Sequence, residues 1–238
     1  MKLVIVRHAD PDYIRDSLTA KGKREAELLS ERLSKLDVKA FYCSPLGRAK
    51  DTAAYTLNRM NRKAEELDWL HEFKGKIRSG LKNVQCWDRL PEEWVYDGRN
   101  YSNEAWLDTK MMRSGNSAKE YFRVCAGIDD LLKKYGYEHN GRLYNVLHSN
   151  HDTIVLFCHF AVECVILSHI FSCSPMVLWH NFVALPSSVT TLITEEREKG
   201  RAVFRCQQFG DISHLYAGGE EPSFAARFCE CYDDDTRH

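Results

Sequence analysis

With 238 residues, 44% of them hydrophobic, the chain carries enough apolar content for one sizeable core. Its 33 Lys and Arg against 34 Asp and Glu leave a formal net charge of -1, spread along the chain, which argues against a nucleic-acid groove or an anionic membrane surface as partner. The nine cysteines are odd in number and form no C-x-x-C pair, and the longest apolar runs are broken by His and Glu. Reduced thiols, a cytoplasmic location without a leader segment and no membrane span are therefore expected, and the acidic tail YDDDT is too short for an interaction arm.

Leu3 to Val6 form a continuous apolar run, the mark of a strand buried on both faces. Thr19 is placed to cap a helix in which Ala26, Leu29, Leu33 and Leu36 recur at helical spacing, with Gly22 a weak point in it. A second strand in VKAFYCSPLGRA stops at Ser44–Pro45 and leads into a helix through Arg48, Thr52 and Leu57. This β-α-β-α opening predicts an α/β fold with a mostly parallel sheet covered by helices.

The stretch from about 73 to 116 has no clean period and reads as an insertion, irregular or partly helical, within a single domain spanning 1–238. Ser117-x-x-Glu120 has the spacing of a capping box for a helix running to about Tyr135, with Phe122, Cys125, Ile128 and Leu132 toward the core. TIVLFCH reads as a strand and AVECVILSHIF as a helix, with Pro175 starting a shorter one. SVTTLITEE and RAVFRCQQFGD flank REKG and predict a hairpin at the late edge of the sheet; residues after Gly218 look peripheral.

Three predicted strands end in polar residues: Arg7–His8, Ser44-Pro45-Leu46-x-Arg48, and His159. Ligands of open α/β sheets bind beyond the carboxyl ends of the strands. If these strands are parallel, two arginines and two histidines converge at one edge, where guanidinium groups suit a phosphoryl dianion. Any one of them, taken alone, is more often a structural side chain.

Together with Leu70-x-Glu72-x-x-Gly75, this ordered set resembles the histidine phosphatase superfamily, over most of the chain. The resemblance implies a three-layer α/β/α, phosphoglycerate mutase-like fold. It further implies His8 as nucleophile, Arg7, Arg48 and His159 as phosphate ligands, and Glu72 as proton donor, with no metal and no cofactor. Ser44 could bind phosphate or cap the turn that follows it. Phosphomonoester hydrolysis is preferred, because LHEFKG resembles the acid-donor region of broad phosphatases. A phosphoglycerate mutase-like phosphotransferase and a noncatalytic phosphate-binding protein remain as alternatives. The expected partner is a phosphorylated small molecule, and the chain would act as monomer or homodimer.

The chain departs from the family pattern at Ala9-Asp10-Pro11 and at Phe160, where glycine is common after each histidine. Alanine accepts left-handed backbone angles poorly. Asp10 could orient the loop or be a turn residue. His71 and the His151–Asp152 pair are ambiguous, and Trp87, Trp94, Tyr96, Trp106 and Lys82 could line a leaving-group pocket or pack a small helical lid.

Overall fold

The computed structural model describes residues 1–225 and 227–234; Asp235 and Thr236 of the acidic tail lie outside them. Strand β1 (Lys2–Arg7) is followed by α1 (Ala20–Leu33), β2 (Ala40–Cys43), α2 (Gly47–Met60) and β3 (Ala64–Glu66). After the 73–116 region come α3 (Ser117–Lys134), the hairpin β4 (Tyr137–Asn140) and β5 (Leu143–Val146), and then β6 (Thr153–Cys158). Helices α4 (Phe160–Phe171) and α5 (Pro175–Asn181), the hairpin β7 (Val189–Glu198) and β8 (Arg201–Asp211), and α6 (Ser213–Ala217) complete the chain.

The eight strands form one sheet in the order β3-β2-β6-β1-β7-β8-β5-β4. Its core is parallel: β3 pairs with β2, β2 with β6, and β6 with β1. Beyond β1 every pairing is antiparallel, so the sheet as a whole is mixed. Alternation along β1 sends Val4 and Val6 to the face covered by α1 and α2, and Leu3 and Ile5 to the face covered by α3, α4 and α5. With both faces covered, a strand is apolar at every position, as LVIV is.

Several local expectations hold. The Thr19 side chain accepts from the Gly22 N–H, Ser174 caps α5 with Pro175 in its first turn, and α2 carries Ala49, Thr52 and Ala53 inward. Gly22 has a purpose beyond helix propensity. A Cβ there would lie 2.1 Å from the Asp10 carbonyl oxygen, so only glycine lets α1 approach the loop after His8.

Other expectations are corrected. The capping box at Ser117 does not form: Asn116 occupies the cap position, and the Ser117 hydroxyl donates to the Lys76 carbonyl instead. Phe122 is 60% exposed, because the buried stripe of α3 runs through Tyr121, Val124, Cys125, Ile128 and Leu132, one position out of phase with it. The β7–β8 hairpin is interior, since β5 pairs with β8 and the edge falls to β4.

The C-terminal segment is not peripheral throughout. Ser223 is buried, its N–H donates to Glu25 Oε1 and its hydroxyl to Asp10 Oδ1. Polar docking of this kind leaves no hydrophobic period in the sequence. The nine cysteines are free thiols. Among the described residues no helix is long and apolar enough to cross a membrane.

Candidate active site

Parallel pairing of β1, β6 and β2 brings their carboxyl ends to one edge, with Arg7 opposite Cys158 and Phe157 opposite Cys43. Arg7, His8, Ser44 and His159 are 4%, 1%, 0% and 0% exposed, a dense polar cluster at the margin of an apolar sheet. The backbone of His8 is held on both sides. Its N–H donates to the Cys158 carbonyl and its own carbonyl accepts from the Ser187 N–H.

The His8 ring lies 2.8 Å, through Nδ1, from the Ala9 carbonyl oxygen. A carbonyl only accepts, so Nδ1 carries the proton and Nε2 is left with its lone pair. Burial, and then the Arg7 and Arg48 charges, hold this imidazole well below its usual range despite the Ala9 bond, so it is neutral around pH 7.

Ala9 itself has no left-handed backbone, which among the described non-glycine residues occurs at Asp16, Asn61, Ser172 and Ser187. Alanine therefore replaces the glycine common in the family without strain here. The Ala9 N–H donates to Thr52 Oγ1 at 3.0 Å, and the same hydroxyl donates to the Arg48 carbonyl at 2.8 Å.

His159 stands 5.0 Å from His8, ring centre to ring centre, and its Nε2 is 2.8 Å from Ser44 Oγ. The Ser44 hydroxyl also accepts from the Leu46 N–H at 3.3 Å, so it is both a turn cap and a histidine partner. His159 Nδ1 is buried with no protein partner. Burial, followed by the neighbouring His8, Arg48 and Arg7, pushes its pKa well below the usual value.

The two arginines are fixed by groups with no sequence signal near them. Arg7 donates through Nη1 to the Ala184 carbonyl and lies over the Phe160 ring at 5.7 Å, which gives that unusual residue a role. Arg48 Nη1 pairs with Asp16 Oδ1 at 2.6 Å, while Asp16 Oδ2 accepts from the Gly47 N–H at 2.7 Å. Asp16 takes a left-handed backbone (φ 49°), and a Cβ on Gly47 would lie 2.1 Å from its carbonyl oxygen. Thus Gly47 admits the loop that grips Arg48. Sequence reasoning missed Asp16.

Glu72 reaches the cluster from the turn after Leu70. Its Oε1 accepts from the Phe73 N–H at 2.8 Å and from the Val162 N–H at 3.3 Å, the latter in the first turn of α4. Burial raises its pKa; those two N–H groups, Arg7 and Arg48 hold the rise back. His71 proves to be its anchor. The Nδ1–H donates to the Glu72 carbonyl at 2.8 Å, and Nε2 accepts from Arg123 at 2.7 Å.

Glu163 was also missed. It is buried on α4, and burial raises its pKa to about 7 against the pull of the Thr190 hydroxyl and the Arg7 charge.

The remaining candidates fall elsewhere. Asp10 accepts from Thr19 Oγ1 at 2.5 Å and from Ser223, which makes it a loop organiser. His151 and Asp152 precede β6 and so sit at the opposite end of the sheet from His159. Trp94 and Trp106 are 5% and 0% exposed core residues, Trp87 donates to the Phe73 carbonyl, and Tyr96 and Lys82 are exposed.

The family model of the histidine phosphatase superfamily (branch 1) matches residues 3–206. The chain belongs to the histidine phosphatase superfamily.

Within that superfamily it is 27% identical to phosphoserine phosphatase 1 of Hydrogenobacter thermophilus over 148 residues, 57% of this chain and 66% of that protein. A probable phosphatase of Schizosaccharomyces pombe is 23% identical over 230 residues, covering 90% of this chain and 95% of the relative. A 2,3-bisphosphoglycerate-dependent phosphoglycerate mutase of Thermoplasma acidophilum is 30% identical over 124 residues, 39% of this chain and 62% of the mutase.

Two solved histidine phosphatase folds superpose over 90% of this chain and 98% of their own. One is a phosphoserine phosphatase mutant of Entamoeba histolytica bound to phosphoserine (TM-score 0.59, 18% identity). The other is a mycobacterial glucosyl-3-phosphoglycerate phosphatase with inorganic phosphate (TM-score 0.60, 17% identity). The phosphoglycerate mutase-like architecture expected from the sequence is the one observed, and named phosphatases among the relatives agree with an enzyme of the hydrolase class.

Proposed function

We propose that the protein is a metal-independent phosphomonoester hydrolase working through a phosphohistidine on His8, without a cofactor. The observation that carries this reading is the Nδ1–H bond of His8 to its neighbour's carbonyl, in a site that keeps the ring neutral. Nε2 is then a nucleophile at neutral pH.

In the first step Nε2 attacks phosphorus and the ester P–O bond breaks. The departing oxygen takes the proton of Glu72, whose raised pKa favours the protonated form. In the second step water attacks the phosphohistidine and gives its proton to the Glu72 carboxylate, releasing inorganic phosphate and regenerating His8. Arg7 and Arg48 offset charge on the non-bridging oxygens. When the Ser44 hydroxyl donates to His159 Nε2, His159 carries its proton on Nδ1 and can donate it to phosphate. The substrate we assign is a phosphorylated small molecule, met at the phosphate by this cradle and at the leaving group by the 73–116 insertion.

The mutase reading draws support from the Thermoplasma relative, though that match covers 39% of this chain. One experiment separates the alternatives: a panel of metabolite phosphates assayed for phosphate release and for an acid-labile phosphoenzyme, with His8→Ala as blank. Release that falls by about a thousandfold or more in the variant, together with loss of the phosphoenzyme, is the expected result. Native release by His8→Ala overturns the nucleophile. Phosphoenzyme without release points to a transferase, and phosphate binding with neither points to a binding protein.

A further inference from the structure

Three side chains from three elements meet away from the phosphate cradle: Asp129 on α3, His139 on β4 and His169 in the last turn of α4. Among the described residues they are the one group of three His, Cys, Asp or Glu whose donor atoms all lie within 4.8 Å of one another. His169 Nε2 is 2.8 Å from Asp129 Oδ1, and His139 Nδ1 is 3.6 Å from Asp129 Oδ2. The two imidazole centres are 4.4 Å apart. Around a tetrahedral ion with bonds of about 2.0–2.1 Å, neighbouring donor atoms stand about 3.3 Å apart. The observed carboxylate–imidazole distances bracket that spacing.

Hydrogen bonding alone leaves the cluster incomplete. Asp129 satisfies His169, but its 3.6 Å contact with His139 is too long for a hydrogen bond, and the partner His139 does have is the Gly141 backbone outside the cluster. His139 Nε2 is buried without a partner. Beside it, with ring centres 5.2 Å apart, Tyr144 is 1% exposed and its hydroxyl is likewise buried and unpartnered. Orphaned polar atoms of this kind beside a carboxylate and two imidazoles call for a ligand.

We propose that Asp129, His139 and His169 form a binding site for a divalent transition-metal ion, with water or the Tyr144 hydroxyl at the fourth position. Two imidazoles and one carboxylate suit Zn2+ and neighbouring late first-row ions better than Mg2+ or Ca2+, which prefer oxygen donors. Binding displaces the proton between His169 Nε2 and Asp129, either to Nδ1 of the same ring or to solvent. His169 follows His159 by ten residues along α4, about 15 Å at the helical rise, so the ion sits apart from the cradle. Its work is structural: it ties α3 and the distal end of α4 to the edge strand β4.

The test uses the full chain with exposed Cys206, Cys229 and Cys231 changed to Ser, which removes competing thiolates. After chelator treatment, Zn2+ is titrated by calorimetry, Co2+ by visible absorption, and thermal unfolding is followed with and without Zn2+. The expected result is one saturable equivalent, a Co2+ spectrum of low coordination number, and a higher Tm with Zn2+. Asp129→Asn and His169→Gln should each weaken binding about tenfold or more and lose the Tm gain, while His8→Ala retains both. Circular dichroism checks that the variants fold. Absence of a saturable equivalent, binding untouched by either substitution, or binding lost in His8→Ala overturns the proposal.

Discussion

The Ser44 hydroxyl stands 2.8 Å from His159 Nε2 across the ends of two neighbouring parallel strands; when it donates there, the His159 proton is left on Nδ1, which is buried without a protein partner. Ser44→Ala leaves Nε2 without its partner and frees the ring to take either tautomer. Inhibition by inorganic phosphate should weaken about tenfold, the equivalent of roughly 1.4 kcal/mol, near the upper end for one hydrogen bond. Unchanged phosphate affinity would reduce Ser44 to a turn cap.

In the proposed mechanism, phosphoenzyme formation needs His8 neutral and Glu72 protonated. His8 titrates well below 6.5 and Glu72 above 4.5, so the rate should fall as pH rises through the raised Glu72 pKa. Glu72→Gln should remove that alkaline limb. It should slow hydrolysis of alkyl phosphates about a hundredfold, yet slow aryl phosphates with good leaving groups far less. Equal losses on both substrate types would take the acid role away from Glu72.

Glu163 offers a thermodynamic signature. Its folded pKa of about 7 exceeds the ordinary carboxyl value of 4.5, so the native state binds more protons than the unfolded chain between these limits. Stability contributed by this group is present below pH 4.5 and is lost as pH rises to about 7. Glu163→Gln should therefore gain on the wild type across that window, with a ceiling of about 3 kcal/mol at 1.36 kcal/mol per pKa unit. Urea unfolding of both proteins from pH 4.5 to 8 gives the difference curve, and a flat one refutes the assignment.

Ser223 ties the C-terminal segment to Asp10 and Glu25, behind the loop that follows His8. Ser223→Ala removes the hydroxyl bond and should lower stability by about 1 kcal/mol, read as a lower urea midpoint at constant slope. A midpoint equal to that of the wild type would show that the segment contributes nothing through this contact.

The parts of the molecule legible in the sequence are those whose environment is set locally. An apolar strand buried on both faces announces itself, and its terminal Arg7, Ser44 and His159 are carried to one edge by parallel pairing. The less legible parts depend on distant partners. Phe122 and Tyr121 are adjacent and both aromatic, so the phase of α3 is decided by what packs on it, including Trp106. Strands β4 and β5 are short and only partly buried, and they gain their place by pairing with β8. Asp16 supports Arg48 from 32 residues away through a left-handed turn that has no motif.

Thr52 has one proton and uses it on the Arg48 carbonyl, while its oxygen receives the Ala9 amide from 43 residues earlier in the chain. The segment that follows His8 and the first turn of the helix that carries Arg48 are thereby pinned at a single atom. Their spacing is set when the chain folds, before any ligand arrives. Valine at position 52 would keep the shape of that pin and release its grip.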